Sequence, residues 1–177
     1  RYANGETKPT TIVSFASEPF WNEAEKAARD LVRFCDAHPE GWRFVAVMCT
    51  GGFCEWFPHW GEGYSDYSPA FLQVFRRWVQ ARYRTVEQLR AAWKNDTVTF
   101  DTVELPSPAE RVRGNFYDFY DPSKGLQRQD FGRYYSEVVT RVIERLTRAF
   151  KEASHGRLYT RTPSGYQPGS SAFRYHS

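Results

Sequence analysis

The chain has 177 residues, enough for one domain with a real core, and 24 basic side chains against 21 acidic ones give a net charge of only +3. The signs are interspersed along the chain instead of gathering in basic blocks, so nothing calls for a nucleic-acid partner. An aromatic share of 18% is high, and calls for rings both in the core and on a binding surface.

Cys35, Cys49 and Cys54 are odd in number and lack C-x-x-C spacing, which indicates neither a zinc site nor a disulfide framework; no metal or organic cofactor is expected. No apolar run approaches the roughly 20 residues of a membrane span, so no membrane partner is expected either. The chain lacks an initiating Met, and residues 163–177 are Gly, Pro and Ser punctuation. We therefore expect a fragment of something longer.

In chain order, residues 10–16 read as a short β-branched strand, bounded by Ser17-Glu18-Pro19, a helix start with proline in its first turn. Trp21, Ala24, Ala28, Leu31, Val32 and Cys35 then recur at helical spacing until His38-Pro39. A second strand is predicted at residues 42–49, its apolar run 44–49 implying burial in a parallel sheet. The first 50 residues thus form a β-α-β unit.

After this strand comes Cys49-Thr50-Gly51-Gly52-Phe53-Cys54-Glu55-Trp56-Phe57-Pro58-His59-Trp60. In barrels and open α/β sheets chemistry gathers at the carboxyl ends of strands, which makes Glu55 the candidate catalytic carboxylate. Trp56, Phe57, Trp60 and Tyr64 could stack on the apolar face of a pyranose, and His59, Glu62 and Asp66 could hydrogen-bond its hydroxyls.

Ser68-Pro69 opens a helix with Phe71, Val74, Phe75, Trp78 and Val79 on one face, and Thr85 with Gln88 fits a capping box that starts a shorter one through Leu89 and Trp93. Residues 95–125 are irregular. Residues 57–125 are therefore read as an inserted loop with helices, and βα insertions of this size serve as lids or pocket walls. A long helix follows, with Phe131, Tyr134, Tyr135, Val138, Val139, Val142, Ile143, Leu146, Ala149 and Phe150 in one stripe, closed by His155-Gly156. Its Arg133, Arg141, Arg145 and Arg148 alternate with Glu137, Glu144 and Glu152, as expected of a solvated, ion-paired surface. Residues 157–161 are a candidate third strand. Glu18, Asp101 and Asp121 read as first-turn and cap residues.

The fold class is α/β with a parallel sheet, but a complete eightfold barrel takes about 250 residues. The order and spacing of Ala46-Val47-Met48-Cys49-Thr50-Gly51-Gly52-Phe53-Cys54-Glu55-Trp56-Phe57, Asp66-Tyr67-Ser68-Pro69-Ala70, Phe75-Arg76-Arg77-Trp78, Tyr83, Leu89, Ala92-Trp93 and Thr97-Val98-Thr99-Phe100 resemble retaining glycoside hydrolases of the (β/α)8 clan that includes the family 42 β-galactosidases. The resemblance runs over about residues 11–166. It implies that residues 1–177 are one incomplete TIM-type barrel domain, with the helical insertion after the strand bearing Glu55. It implies a carbohydrate substrate and a role in carbohydrate metabolism, with Glu55 as general acid/base. The nucleophile, a second glutamate after a later strand, would come from remaining barrel segments outside this chain or, less directly, from a homo-oligomer. Where the clan commonly has Asn before the acid/base, this sequence has Cys54. That departure and the absent second glutamate motivate an alternative, a non-catalytic carbohydrate-binding or scaffold protein derived from a glycosidase barrel.

Overall fold

A computed structural model describes residues 13–49, 66–107, 110 and 121–162. Helix α1, Glu18–Ala37, begins where expected, with Pro19 in its first turn, and it ends as His38 turns to extended backbone (φ −84°, ψ 141°). Pro39 explains that stop, because a residue preceding proline is excluded from the helical region. Trp21, Ala28 and Val32 form its buried face. Leu31, expected on that face, is exposed together with Phe34. Residues 10–12 of the predicted first strand lie outside the described residues. Residues 13–16 are not a strand: the chain turns at Phe15-Ala16, and Trp21 Nε1 reaches back to donate to the Ser14 carbonyl at 3.1 Å.

The second predicted strand is shorter and less buried than its apolar run implies. Gly41–Arg43 form a 3-10 turn packed under the end of α1. A Cβ at Gly41 would lie 1.8 Å from the Cys35 carbonyl oxygen, so only glycine allows that approach. The turn throws Trp42 outward to 70% exposure. Strand β1 is then Ala46–Met48, pairing in parallel with β2, Tyr159–Arg161, in the register Ala46↔Tyr159, Val47↔Thr160, Met48↔Arg161. Parallel pairing and the late strand match expectation, whereas burial does not. Ala46 and Met48 are exposed, and among the described residues the sheet has these two strands alone, so Val47 packs on the core and the opposite face stays open.

Helix α2, Pro69–Tyr83, is capped by Ser68, whose hydroxyl accepts from Phe71 N at 3.2 Å. It breaks at Arg84, and Thr85 caps α3, Val86–Trp93, by accepting from Gln88 N at 3.2 Å. The next long helix, α4, is Gln127–Ala153, and it ends with His155 (φ 50°) and Gly156 (φ 82°) both left-handed. Gly125 makes the junction tight: at φ 108° its missing Cβ leaves room for the Trp93 carbonyl, and Leu126 N donates to Ala92 O at 3.0 Å. No helix among the described residues is long and apolar enough to cross a membrane.

The core gathers around α4, with α1 on one side and α2 with α3 on another. Two contacts fix its direction. Thr147 hydrogen-bonds Cys49, just past the carboxyl end of β1, while Lys151 Nζ donates to Leu158 O, just before β2, at 2.6 Å. Since Lys151 is one turn further along the helix, α4 runs antiparallel to both strands. The roughly 20 residues before Thr147, about 30 Å of helix, therefore project beyond the carboxyl edge of the sheet.

Candidate functional site

Parallel register brings the two chain exits together. Met48 is opposite Arg161, and Cys49 N extends the ladder to Arg161 O at 2.9 Å, so both strands end at the same edge of the sheet. Cys49 itself is buried against α4, and that burial pushes its thiol pKa up. A thiol kept protonated in this way packs as a small hydrophobe and is a poor nucleophile.

Of the predicted site residues, Glu55, Trp56, Phe57, His59, Trp60, Glu62 and Tyr64 lie outside the described residues. Asp66 is described, at the approach to α2. Its Oδ1 accepts from Ser68 N at 2.8 Å, a turn that aims the chain into the helix, while Oδ2 is buried with no hydrogen-bond partner among the described residues. Half of the carboxylate is thus committed to local structure and half is not. The neighbouring Tyr67 hydroxyl donates to Pro106 O at 2.5 Å and ties this turn to the irregular 95–107 segment.

Behind Asp66 stands an aromatic wall built by α2 and the first half of α4. Phe71 meets Tyr134 at 5.1 Å and Tyr135 at 6.1 Å between ring centroids, and Tyr135 meets Phe15 edge-on at 5.9 Å. Burial, reinforced by the charge of Asp66, raises the Tyr134 hydroxyl far above the ordinary tyrosine value. It stays neutral and donates to Phe71 O at 3.3 Å.

Phe75 and Trp93 are core of the helical layer, as expected; Trp78 is half-buried and donates through Nε1 to Glu137 at 2.6 Å. On the Arg face of α4, Arg133, Arg141 and Arg148 are exposed, as expected of a solvated surface, and Arg145 departs from it. Arg145 donates to Glu25 at 2.5 Å, Glu18 at 2.8 Å and Asn22 at 2.7 Å, all on α1, and is only 21% exposed. Packing supplies its acceptors from the facing helix. Glu18 is thereby a partner of Arg145 near the start of α1, and Asp121 caps the 3-10 turn Pro122–Lys124 through Ser123 N at 2.9 Å.

Sequence reasoning passed over Asp130. It is 2% exposed, with Tyr83 Oη and Trp93 Nε1 (2.8 Å) donating to Oδ2 and Arg82 Nε at 3.0 Å from Oδ1. Its position, four residues before Tyr134 and eight before Val138, puts a carboxylate in the apolar stripe. That was the available signal. No group of three or more His, Cys, Asp or Glu among the described residues could hold a metal ion.

The described residues thus place a parallel strand pair with one common carboxyl edge beside a long helix that extends past it. The model of glycoside hydrolase family 42, described as beta-galactosidase, matches residues 59–172, and the chain belongs to that family. The match begins after Glu55, and it includes α2, α3, α4 and β2. Among curated proteins, the Beta-1,2-glucosyltransferase of Ignavibacterium album is 24% identical over 151 residues, covering 83% of this chain and 20% of the relative. The chain thus spans about a fifth of the length of the curated relative it matches. No solved structure matches.

Proposed function

We infer that this chain is part of a retaining glycosidase, with Glu55 as proton donor and then general base, on a (β/α)8 barrel whose 57–125 segment forms an inserted wall. The observation that carries the reading is the parallel pair β1–β2 with its common carboxyl edge, in a chain belonging to family 42, β1 ending at Met48, shortly before Glu55 in sequence. Further barrel strands would also cover Val45, Met48 and Tyr159, which stand exposed. Burying such side chains gives about 1.5–3 kcal/mol each.

In this reaction Glu55 protonates the leaving glycosidic oxygen while a second carboxylate, about 5 to 5.5 Å away, attacks the anomeric carbon and displaces it. Glu55, now ionised, takes a proton from water as its oxygen attacks the covalent intermediate and releases the second carboxylate. Aromatic neighbours such as Trp56 and Phe57 favour the protonated form that the first step needs. Trp60 and Tyr64 would stack on the sugar, with His59, Glu62 and the uncommitted oxygen of Asp66 directed at hydroxyls. The second carboxylate would come from a later strand.

In the protein containing this chain, Glu55→Gln is expected to lower turnover of an aryl glycoside by about 10²–10⁴-fold with the fold intact. Near-full activity would remove Glu55 from the mechanism. Sugar binding without release of phenol by the parent protein would favour the non-catalytic scaffold.

A second reading, glycosyl transfer, has the glucosyltransferase relative in its favour. It differs only in the second step, where Glu55 would deprotonate an acceptor sugar's hydroxyl instead of water. Supplying free glucose as acceptor and separating the products decides between them: a disaccharide indicates transfer, and free donor sugar indicates hydrolysis.

A further inference from the structure

We propose that Asp130 is a positioning residue that sets the register of the α2–α3 layer over the carboxyl edge of the sheet, and so governs how well the site holds substrate; the link to substrate rests on the reading just given. The main packing of α2 is with α3, with α4 and with the 100–102 turn, so its attachment to the strand-bearing half of the molecule runs through α4. Two kinds of contact make that attachment. One is aromatic: Phe75 meets Phe131 at 5.8 Å and Tyr134 at 5.0 Å, and Trp78 meets Tyr134 at 6.0 Å. Ring packing of this sort is strong but tolerates sliding, because dispersion and apolar burial have little directionality.

Asp130 supplies the direction. Its carboxylate, on the first turns of α4, collects donors from the end of α2 (Arg82 and Tyr83) and the end of α3 (Trp93). Three donors of fixed geometry on one nearly inaccessible group define a single placement of both helices, and a displacement would leave buried charge unpaired. Gly125 and the Leu126 N to Ala92 O bond hold the same junction from the backbone side. Because α4 projects beyond the carboxyl edge, this layer lies on the side of the sheet where β1 ends, and Asp66 stands at the approach to α2. Asp130 touches no reacting atom in this arrangement. It acts through the layer it registers.

The test compares Asp130→Asn and Tyr83→Phe with Arg145→Ala, a destabilising change on the opposite seam, in the full protein. Expected for the Asp130 and Tyr83 variants is a KM for an aryl glycoside raised about tenfold in the first and less in the second, with kcat within about twofold, the pattern of lost uniform binding. Arg145→Ala should lower the melting temperature with KM unchanged. A KM that rises equally in all three, or in none while melting falls, overturns the proposal. If the parent protein cleaves no glycoside, the inferred activity fails and hydrogen exchange decides the register alone. Faster exchange confined to residues 69–93 in Asp130→Asn upholds it, and uniform acceleration including α1 and the strands overturns it. Should Asp130→Asn not fold, Tyr83→Phe, which removes one donor and keeps the ring, carries both readouts.

Discussion

The two seams along α4 are built from opposite materials. Against α1, the polar contacts are guanidinium forks at the rim: Arg145 with Glu18, Asn22 and Glu25, Arg29 with Glu152 at 3.4 Å, and Arg157 with Asp36 beyond the helix end. Against α2 and α3, the seam is a stack of rings around one buried carboxylate. The rim pairs keep part of their hydration, more in Arg157–Asp36 than in Arg145–Glu25, where each side chain is 21% exposed, so losing one costs less than stranding a fully buried charge. A buried carboxylate has given up its water and must keep every donor. The same residue class therefore trims one seam and dictates the geometry of the other.

The largest expected difference comes from removing a ring. Phe75 is fully buried and touches Trp78, Trp93, Phe131 and Tyr134, so Phe75→Ala should destabilise the fold by about 3–5 kcal/mol in denaturant titration. An effect near 1 kcal/mol would mean that the aromatic seam repacks, and the contrast drawn above would weaken. Arg145→Ala should cost roughly 1–2 kcal/mol, since three acceptors lose a donor while two of them stay accessible to water. Smaller again, Thr85→Ala should cost about 1 kcal/mol through the lost cap of α3, with α1 untouched by hydrogen exchange.

The seams should also separate by pH, in opposite directions. The Arg145 guanidinium bonded to Glu25 holds its carboxyl below the ordinary 4.5. That stabilisation is present above about pH 4.5 and is lost as pH falls through the folded value. Burial raises the Tyr83 hydroxyl above the ordinary 10.0, with Asp130 acting in the same sense. The unfolded chain then loses this proton first, so stability falls as pH rises above about 10. Melting curves taken at both extremes check this: Arg145→Ala should flatten the acid limb and Tyr83→Phe the alkaline limb. Exchange of the two effects between variants would refute the assignment of each group to its seam.

Most of the helical framework was legible in the residues. Pro19 and His38-Pro39 bracket α1, Ser68-Pro69 and Thr85 open α2 and α3, and the stripe from Phe131 to Phe150 marks α4, because caps and helical periodicity are local and survive any tertiary context. Of the candidate site, sequence supplied Glu55 and its aromatic neighbours by position after a strand, and only Asp66 among them has a described environment. An apolar run was a poorer guide to burial: residues 44–49 look like a core strand, yet Met48 and Val45 stand open because burial depends on what packs against a strand and not on the strand itself.

By itself, then, the sequence determined where helices begin and end and that a strand after α1 pairs in parallel with a late one, while the first strand of the expected β-α-β unit is not formed at residues 13–16. The tertiary structure decided which partner each charge takes. Arg145 turned from its own helix to α1, and Asp130, one polar residue in an apolar stripe, became the meeting point of three helices. Periodicity places a side chain on a face of its own helix, but it carries no information about the atoms on the facing one, and those set the pairing, the desolvation and the register.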